Sequence, residues 1–153
     1  GHMKRFRTLD ELAAEQGREV ALSDWVTVTQ AQIQLFADAT GDHQWIHLDE
    51  ARARSSPFGS TIAHGFLTLS LVPQFFDNSM VVEDLRMGVN YGLNKVRFTA
   101  PVPAGSRVRG RLVLQAVEPI AGNGLQATWD VTVEREGGGK PACVAEMLVR
   151  YYR

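Results

Sequence analysis

Beyond residue 85, apolar and polar positions alternate almost one for one. Leu125, Ala127, Trp129, Val131 and Val133 interleave with Gln126, Thr128, Asp130, Thr132 and Glu134. Cys143, Ala145, Met147, Val149 and Tyr151 do the same against Glu146, Leu148 and Arg150, and Val108, Leu112 and Leu114 against Arg107, Arg109 and Arg111. A period of two belongs to half-buried strands, whose successive side chains point to opposite faces. A fourth strand is predicted over residues 89–98. Gly122-Asn123-Gly124 and Gly137-Gly138-Gly139 supply the positive φ that hairpin connections need, so the strands read as a consecutive antiparallel meander.

The first half follows a helical rule. Thr8 opens a short helix, Glu11 completes its capping box and Gly17 stops it. A first strand is predicted over residues 20–28, around Trp25 and Val26. Thr29 then caps a second helix that runs to Ala39, with Ile33, Phe36, Ala37 and Thr40 at helical spacing and Gly41 as its stop. One more helical turn fits residues 49–54.

His64-Gly65-Phe66-Leu67-Thr68-Leu69-Ser70-Leu71-Val72 is apolar nearly all round, and Phe75 and Phe76 continue the trend. A helix of this kind is buried on most sides, and Pro73, lacking an amide proton, kinks or ends it. An antiparallel sheet has an apolar face to cover, and this helix is the cover. The expected fold class is α+β: one antiparallel sheet wrapped around a long central helix, in a single domain over residues 4–153. Such a sheet leaves an edge strand open, and pairing two edges in a homodimer closes it.

The 153 residues are 44% apolar and 22% charged, an ordinary folded composition with room for one core. A formal net charge of −1 gives no bulk electrostatic reason to bind nucleic acid or an anionic membrane. Cys143, the one cysteine, sits in a strand pattern and reads as a buried thiol, so neither a disulfide framework nor a cysteine metal site is expected. No run approaches the ~20 apolar residues of a bilayer span. No leader pattern opens the chain, and the expected compartment is the cytoplasm. Gly1-His2-Met3 looks like an expression-tag remnant.

Against this background, Gly41-Asp42-His43-Gln44-Trp45-Ile46-His47 stands out. It sets a carboxylate and an imidazole five residues apart just past a helix end, where both can face one pocket and share one water. Each alone has a plainer reading, Asp42 as a loop-capping carboxylate and His47 as a structural histidine. His43 reads as a loop residue, and His64 either as support for that loop or as a direct participant. The three histidines outside the tag show no ligand-like spacing, so no metal is expected. Arg107, Arg109 and Arg111 share one strand face, either solvated or facing phosphates.

Taken in order, three stretches resemble the MaoC-like dehydratases, the (R)-specific enoyl-CoA hydratase group of the hot-dog fold. The loop above is similar to that family's hydratase motif. Ile62-Ala63-His64-Gly65 resembles the start of its hot-dog helix, and Val96-Arg97-Phe98-Thr99-Ala100-Pro101-Val102 its strand-to-turn signature. Gln44 and Trp45 stand where the motif has Asn-Pro, which leaves the loop without proline's fixed φ. That departure resembles the subgroup of nodulation protein N and mycobacterial 3-hydroxyacyl-thioester dehydratases.

The resemblance implies (R)-specific hydration of trans-2-enoyl-CoA to (R)-3-hydroxyacyl-CoA, and the reverse dehydration. It implies Asp42 and His47 as the catalytic pair, the Gly65 amide as oxyanion donor, and no cofactor. The implied substrate is an acyl-CoA thioester, with an acyl-carrier-protein thioester as the other carrier. Asn94 and Arg97, on the strand that carries the signature, are weaker candidates for substrate contact. Two other functions also fit a hot-dog domain: acyl-CoA thioesterase and non-catalytic acyl-thioester binder.

Overall fold

In chain order the elements are β1 (Lys4–Phe6), α1 (Leu9–Ala13), β2 (Glu19–Leu22), β3 (Val26–Thr27), α2 (Gln30–Thr40), α3 (Trp45–Leu48) and α4 (Glu50–Arg54). There follow α5 (Gly65–Ser70), α6 (Val72–Asp77), β4 (Met80–Val82), β5 (Met87–Arg97), β6 (Arg107–Ile120), β7 (Gly124–Arg135) and β8 (Cys143–Tyr152). The computed structural model describes residues 2–153; Gly1 of the tag-like triplet lies outside the described residues.

The main sheet is antiparallel, in the order β2-β6-β7-β8-β5, and β3 also pairs with β6. The alternation read from the sequence is the alternation of burial: Val108, Leu112, Leu114, Ala127, Trp129, Val131, Val133 and Cys143 all turn inward. They form one buried cluster with Leu67, Leu71, Val72 and Phe75 of α5 and α6. Phe76 meets Trp129 edge to face, with centroids 4.9 Å apart. Burial of each Leu or Phe side chain contributes roughly 1.5–3 kcal/mol, so this helix–sheet contact is where much of the stability resides. The architecture is the hot-dog fold.

Three expectations are corrected and one pairing is new. The strands are not a simple meander, because β5 skips β6 and pairs with β8 at the far edge. The strand expected over residues 20–28 is broken into β2 and β3. At the break, the Ser23 hydroxyl accepts the Gly110 amide, and the Asp24 amide turns away to the Asn78 side chain. The long central helix is two helices that meet at Leu71. Pro73 cannot donate to the Leu69 carbonyl, and the ladder steps through Leu71 to Thr68 and Phe75 to Leu71 instead. Finally, β1 and β4 form a small parallel pair that no sequence pattern announced; three-residue strands are too short to show a period.

The outer face of β6 answers the question about its arginines. Arg107 pairs with Glu136 at 2.9 Å and Arg109 with Glu134 at 2.9 Å, while Arg111 reaches Glu19 at 2.6 Å. Partial burial pushes the Glu134 carboxyl up, but Arg109 and Arg111 together hold it below the usual carboxylate range. The row is a cross-strand ion-pair ladder, not a set of unpaired cations. No helix among the described residues is long and apolar enough to cross a membrane.

Candidate active site

The site is assembled where α2 ends. Gly41 adopts φ 85°, a left-handed conformation that glycine reaches without a Cβ penalty, and its amide closes the helix on the Ala37 carbonyl at 2.8 Å. Asp42 leaves the helix from there, exposed to the cleft. The Gln44 amide donates to Asp42 Oδ1 at 3.3 Å, and Gln44 then opens α3. His47 lies on this single-turn helix, not on a loop as its sequence neighbours suggested.

His47 is buried, and its ring is held from one side. Nδ1 lies 2.7 Å from the Ile62 carbonyl, so Nδ1 carries the proton and Nε2 is left with the lone pair. Ile62 clamps α3 twice, since its amide also donates to the Ile46 carbonyl at 3.1 Å. The Gln30 side chain donates to the His47 carbonyl at 2.8 Å. Burial pushes the His47 imidazole below the ordinary histidine value. The Ile62 carbonyl opposes that shift, neighbouring His64 adds to it and Asp42 counters it. His47 is therefore neutral near pH 7.

His64 is the residue that joins the site's elements. It is buried, and its Nε2 donates to the main-chain carbonyl of Asp42 at 3.0 Å. Its ring stacks on His47 with centroids 3.8 Å apart and packs against Phe36 at 4.9 Å. The loop that lost proline is held by this bond and by the Asp42–Gln44 turn. His43 points away, pairing with Asp38 at 3.0 Å on the surface.

Gly65 opens α5, so its amide has no acceptor within the helix. It also lies under the ring of Phe98: a Cβ built on Gly65 would stand 2.8 Å from Phe98 Cδ2. A Cβ there would require the Phe98 ring to shift. Around these residues lies a largely apolar cleft of about 420 Å³, lined by Phe36, Thr40, Asp42, His47, His64, Gly65, Phe66 and Phe98. Phe36, Thr40 and Phe98 were not singled out from the sequence as site residues. Phe98 stood within the strand-to-turn signature, the one signal that could have drawn attention to it.

Asn94 and Arg97 are not among the residues lining this cleft. The Asn94 amide donates to Glu146 across the β5–β8 pair at 2.7 Å, and the Arg97 guanidinium to its neighbour's carbonyl, that of Val96, at 2.7 Å. The expectation that the histidines lack ligand-like spacing is corrected: Asp42, His47 and His64 bring donor atoms within 4.8 Å of one another. The two imidazoles are stacked, with planes 23° apart. The spacing suits a bridging water.

The hot-dog domain thus gathers a carboxylate, an imidazole and a helix-opening amide around one apolar cleft. The model of the MaoC like domain matches residues 11–135, and the chain belongs to that family, an enzyme of the hydratase/dehydratase class. It is 56% identical to 3-hydroxyacyl-thioester dehydratase Z of Mycobacterium tuberculosis over 97% of this chain and 99% of that one. It is 48% identical to nodulation protein N of Rhizobium leguminosarum over 92% of this chain and 89% of that one. The unliganded R-hydratase PhaJ1 of Pseudomonas aeruginosa superposes with a TM-score of 0.68 at 25% identity, covering 90% of this chain and 83% of that one.

Proposed function

We propose that this protein hydrates trans-2-enoyl thioesters to (R)-3-hydroxyacyl thioesters and catalyses the reverse dehydration. The observation that carries the reading is the Asp42–His47–Gly65 constellation, with donor atoms of the acid–base pair within 4.8 Å and the Gly65 amide on the same cleft. One water spans such a gap with two hydrogen bonds. His47 Nε2 takes a proton from that water as its oxygen bonds to carbon three. Asp42 accepts a hydrogen bond from the O–H that stays on that oxygen, and its charge balances the imidazolium. The electron pair of the double bond moves onto the thioester oxygen, which the Gly65 amide stabilises. The imidazolium then returns the proton to carbon two, and the enolate collapses to the product. Because His47 and the water lie on one side of the substrate, the addition is syn.

The (R) configuration and the thioester substrate rest on the named relatives, since a dehydratase of 3-hydroxyacyl thioesters and an R-hydratase flank this chain in similarity. The carrier is coenzyme A or an acyl-carrier protein. The test is to mix the protein with crotonyl-CoA and follow enoyl-thioester absorbance and free thiol together. Absorbance lost without thiol supports hydration, whereas thiol released at the same rate would make the protein a thioesterase.

The functional unit in this reading is a homodimer. β5 pairs with β8 on one side only and exposes Met87, Val89, Tyr91 and Leu93, each 40–55% accessible. An open edge with apolar side chains is the surface that a second copy covers.

A further inference from the structure

Two clefts, not one, meet at Gly65. Beside the larger one lies a second of about 290 Å³, bounded by Phe58, Thr68 and the turn 99–102. His47, Gly65 and Phe98 line both. Phe98 is the divider: three of its ring atoms lie 2.8–3.0 Å from where a Gly65 Cβ would stand, and Phe66 braces the ring edge to face at 5.8 Å.

A thioester whose oxygen meets the Gly65 amide sends two branches away from its carbonyl carbon. Carbon three must reach the water between Asp42 and His47, and Asp42 borders the larger cleft alone. The enoyl branch therefore enters the larger cleft. The sulfur branch diverges from it, and the smaller cleft opens on that other side. Its walls are largely apolar side chains and the irregular backbone of the turn, a surface suited to a narrow alkyl-amide arm.

We propose that Phe98 is a specificity-determining residue, a wall at the branch point that keeps the enoyl chain in the larger cleft and the thiol arm in the smaller one. The assignment rests on the enoyl-thioester reading above. It also implies selection for acyl groups unbranched at carbon two, because bulk there faces the ring.

The test uses saturated thioesters, which bind without reacting, and titration calorimetry on the whole protein. One ladder varies the arm: butyryl-CoA, butyryl-pantetheine and butyryl-N-acetylcysteamine. The other varies the acyl group: butyryl-, octanoyl- and 2-methylbutanoyl-CoA. Ala100→Trp, which fills the smaller cleft, should weaken the two long-armed ligands about tenfold relative to butyryl-N-acetylcysteamine and leave the octanoyl-to-butyryl ratio unchanged. Thr40→Trp, which fills the larger cleft, should shift the acyl ladder and spare the arm ladder. Phe98→Ala, with Phe98→Leu as a milder second variant, should erase a discrimination of about tenfold against 2-methylbutanoyl-CoA. Crossed effects of the two tryptophans, or discrimination that survives loss of the Phe98 ring, would overturn the proposal. Wild-type protein that leaves crotonyl-CoA unhydrated while the ladders behave as stated would sink the hydratase reading alone.

Discussion

The imidazoles of His47 and His64 lie face to face, 3.8 Å between centroids, and each is tied to a different carbonyl. His47 donates to Ile62 and His64 to Asp42, so one stack holds the base and the loop bearing its carboxylate partner in register. Protonating His47 would place a cation against the His64 ring, which favours the neutral His47 imidazole.

Replacing the acid–base pair should remove turnover without unfolding the chain. In His47→Asn the amide nitrogen can still donate to the Ile62 carbonyl as Nδ1 does, but nothing replaces Nε2. Asp42→Asn keeps the shape and loses the charge. Each should lower kcat on crotonyl-CoA by about 10²–10⁴, with an unchanged circular dichroism spectrum. Turnover near the wild-type rate in either variant would reject the assignment.

The pH profile should carry the signature of His47. Its folded pKa lies below the ordinary 6.5, so kcat/KM should stay level through pH 7 and fall only on the acid side of that value. The same shift has a sign for stability. The unfolded chain binds this proton more readily, so the stabilisation is present above the ordinary value and is lost as pH falls through the folded one. Denaturant midpoints measured between pH 7.5 and 5 should fall, and fall less in His47→Asn.

Two variants test a positioning role for His64. His64→Phe preserves the stack and loses the bond to Asp42, whereas His64→Ala loses both. Loss of one hydrogen bond worth about 0.5–1.5 kcal/mol corresponds to a drop in kcat of roughly two- to thirteenfold for the phenylalanine variant, and the alanine variant should be worse. The KM for crotonyl-CoA should move little in His64→Phe. A change confined to KM would mean that His64 contacts substrate.

Gly65→Ala should be destabilising by about 1–3 kcal/mol, since the new methyl group meets the Phe98 ring. In a Phe98→Ala background the same substitution should cost far less, and the double-mutant cycle of unfolding free energies measures the difference. Additive effects would mean that the ring does not confine Gly65.

The open edge gives a test of assembly. Leu93→Glu places a charge on the exposed strand β5, and sedimentation should then report half the wild-type mass. Wild-type protein sedimenting as a monomer at micromolar concentration would exclude the dimer.

Much of the fold was legible because burial repeats at the strand period. The inward residues of β7, from Leu125 to Val133, are the alternating set itself. What escaped notice had no period to show. The β5–β8 pairing is a choice among strands that look alike in sequence, and Ser23 interrupts a strand through a hydroxyl bond to Gly110, a residue 87 positions away. Asp42 and His47 were legible as a pair because five residues of local chain bring them together. Ile62 was not, because it contributes a carbonyl, a group every residue carries.

By itself the sequence determined the strand alternation, the capped helix α2, the interruption of the central helix near Pro73 and the presence of a carboxylate and an imidazole on one short segment. These depend on local backbone preference and side-chain periodicity, which neighbouring residues set. Only the tertiary structure decided that His64 would stack on His47, that Phe98 would cover Gly65 and divide one cleft from the other, and that the β6 arginines would be neutralised by Glu19, Glu134 and Glu136. Those contacts join residues distant in the chain, and their geometry exists only once the sheet has closed around its helices.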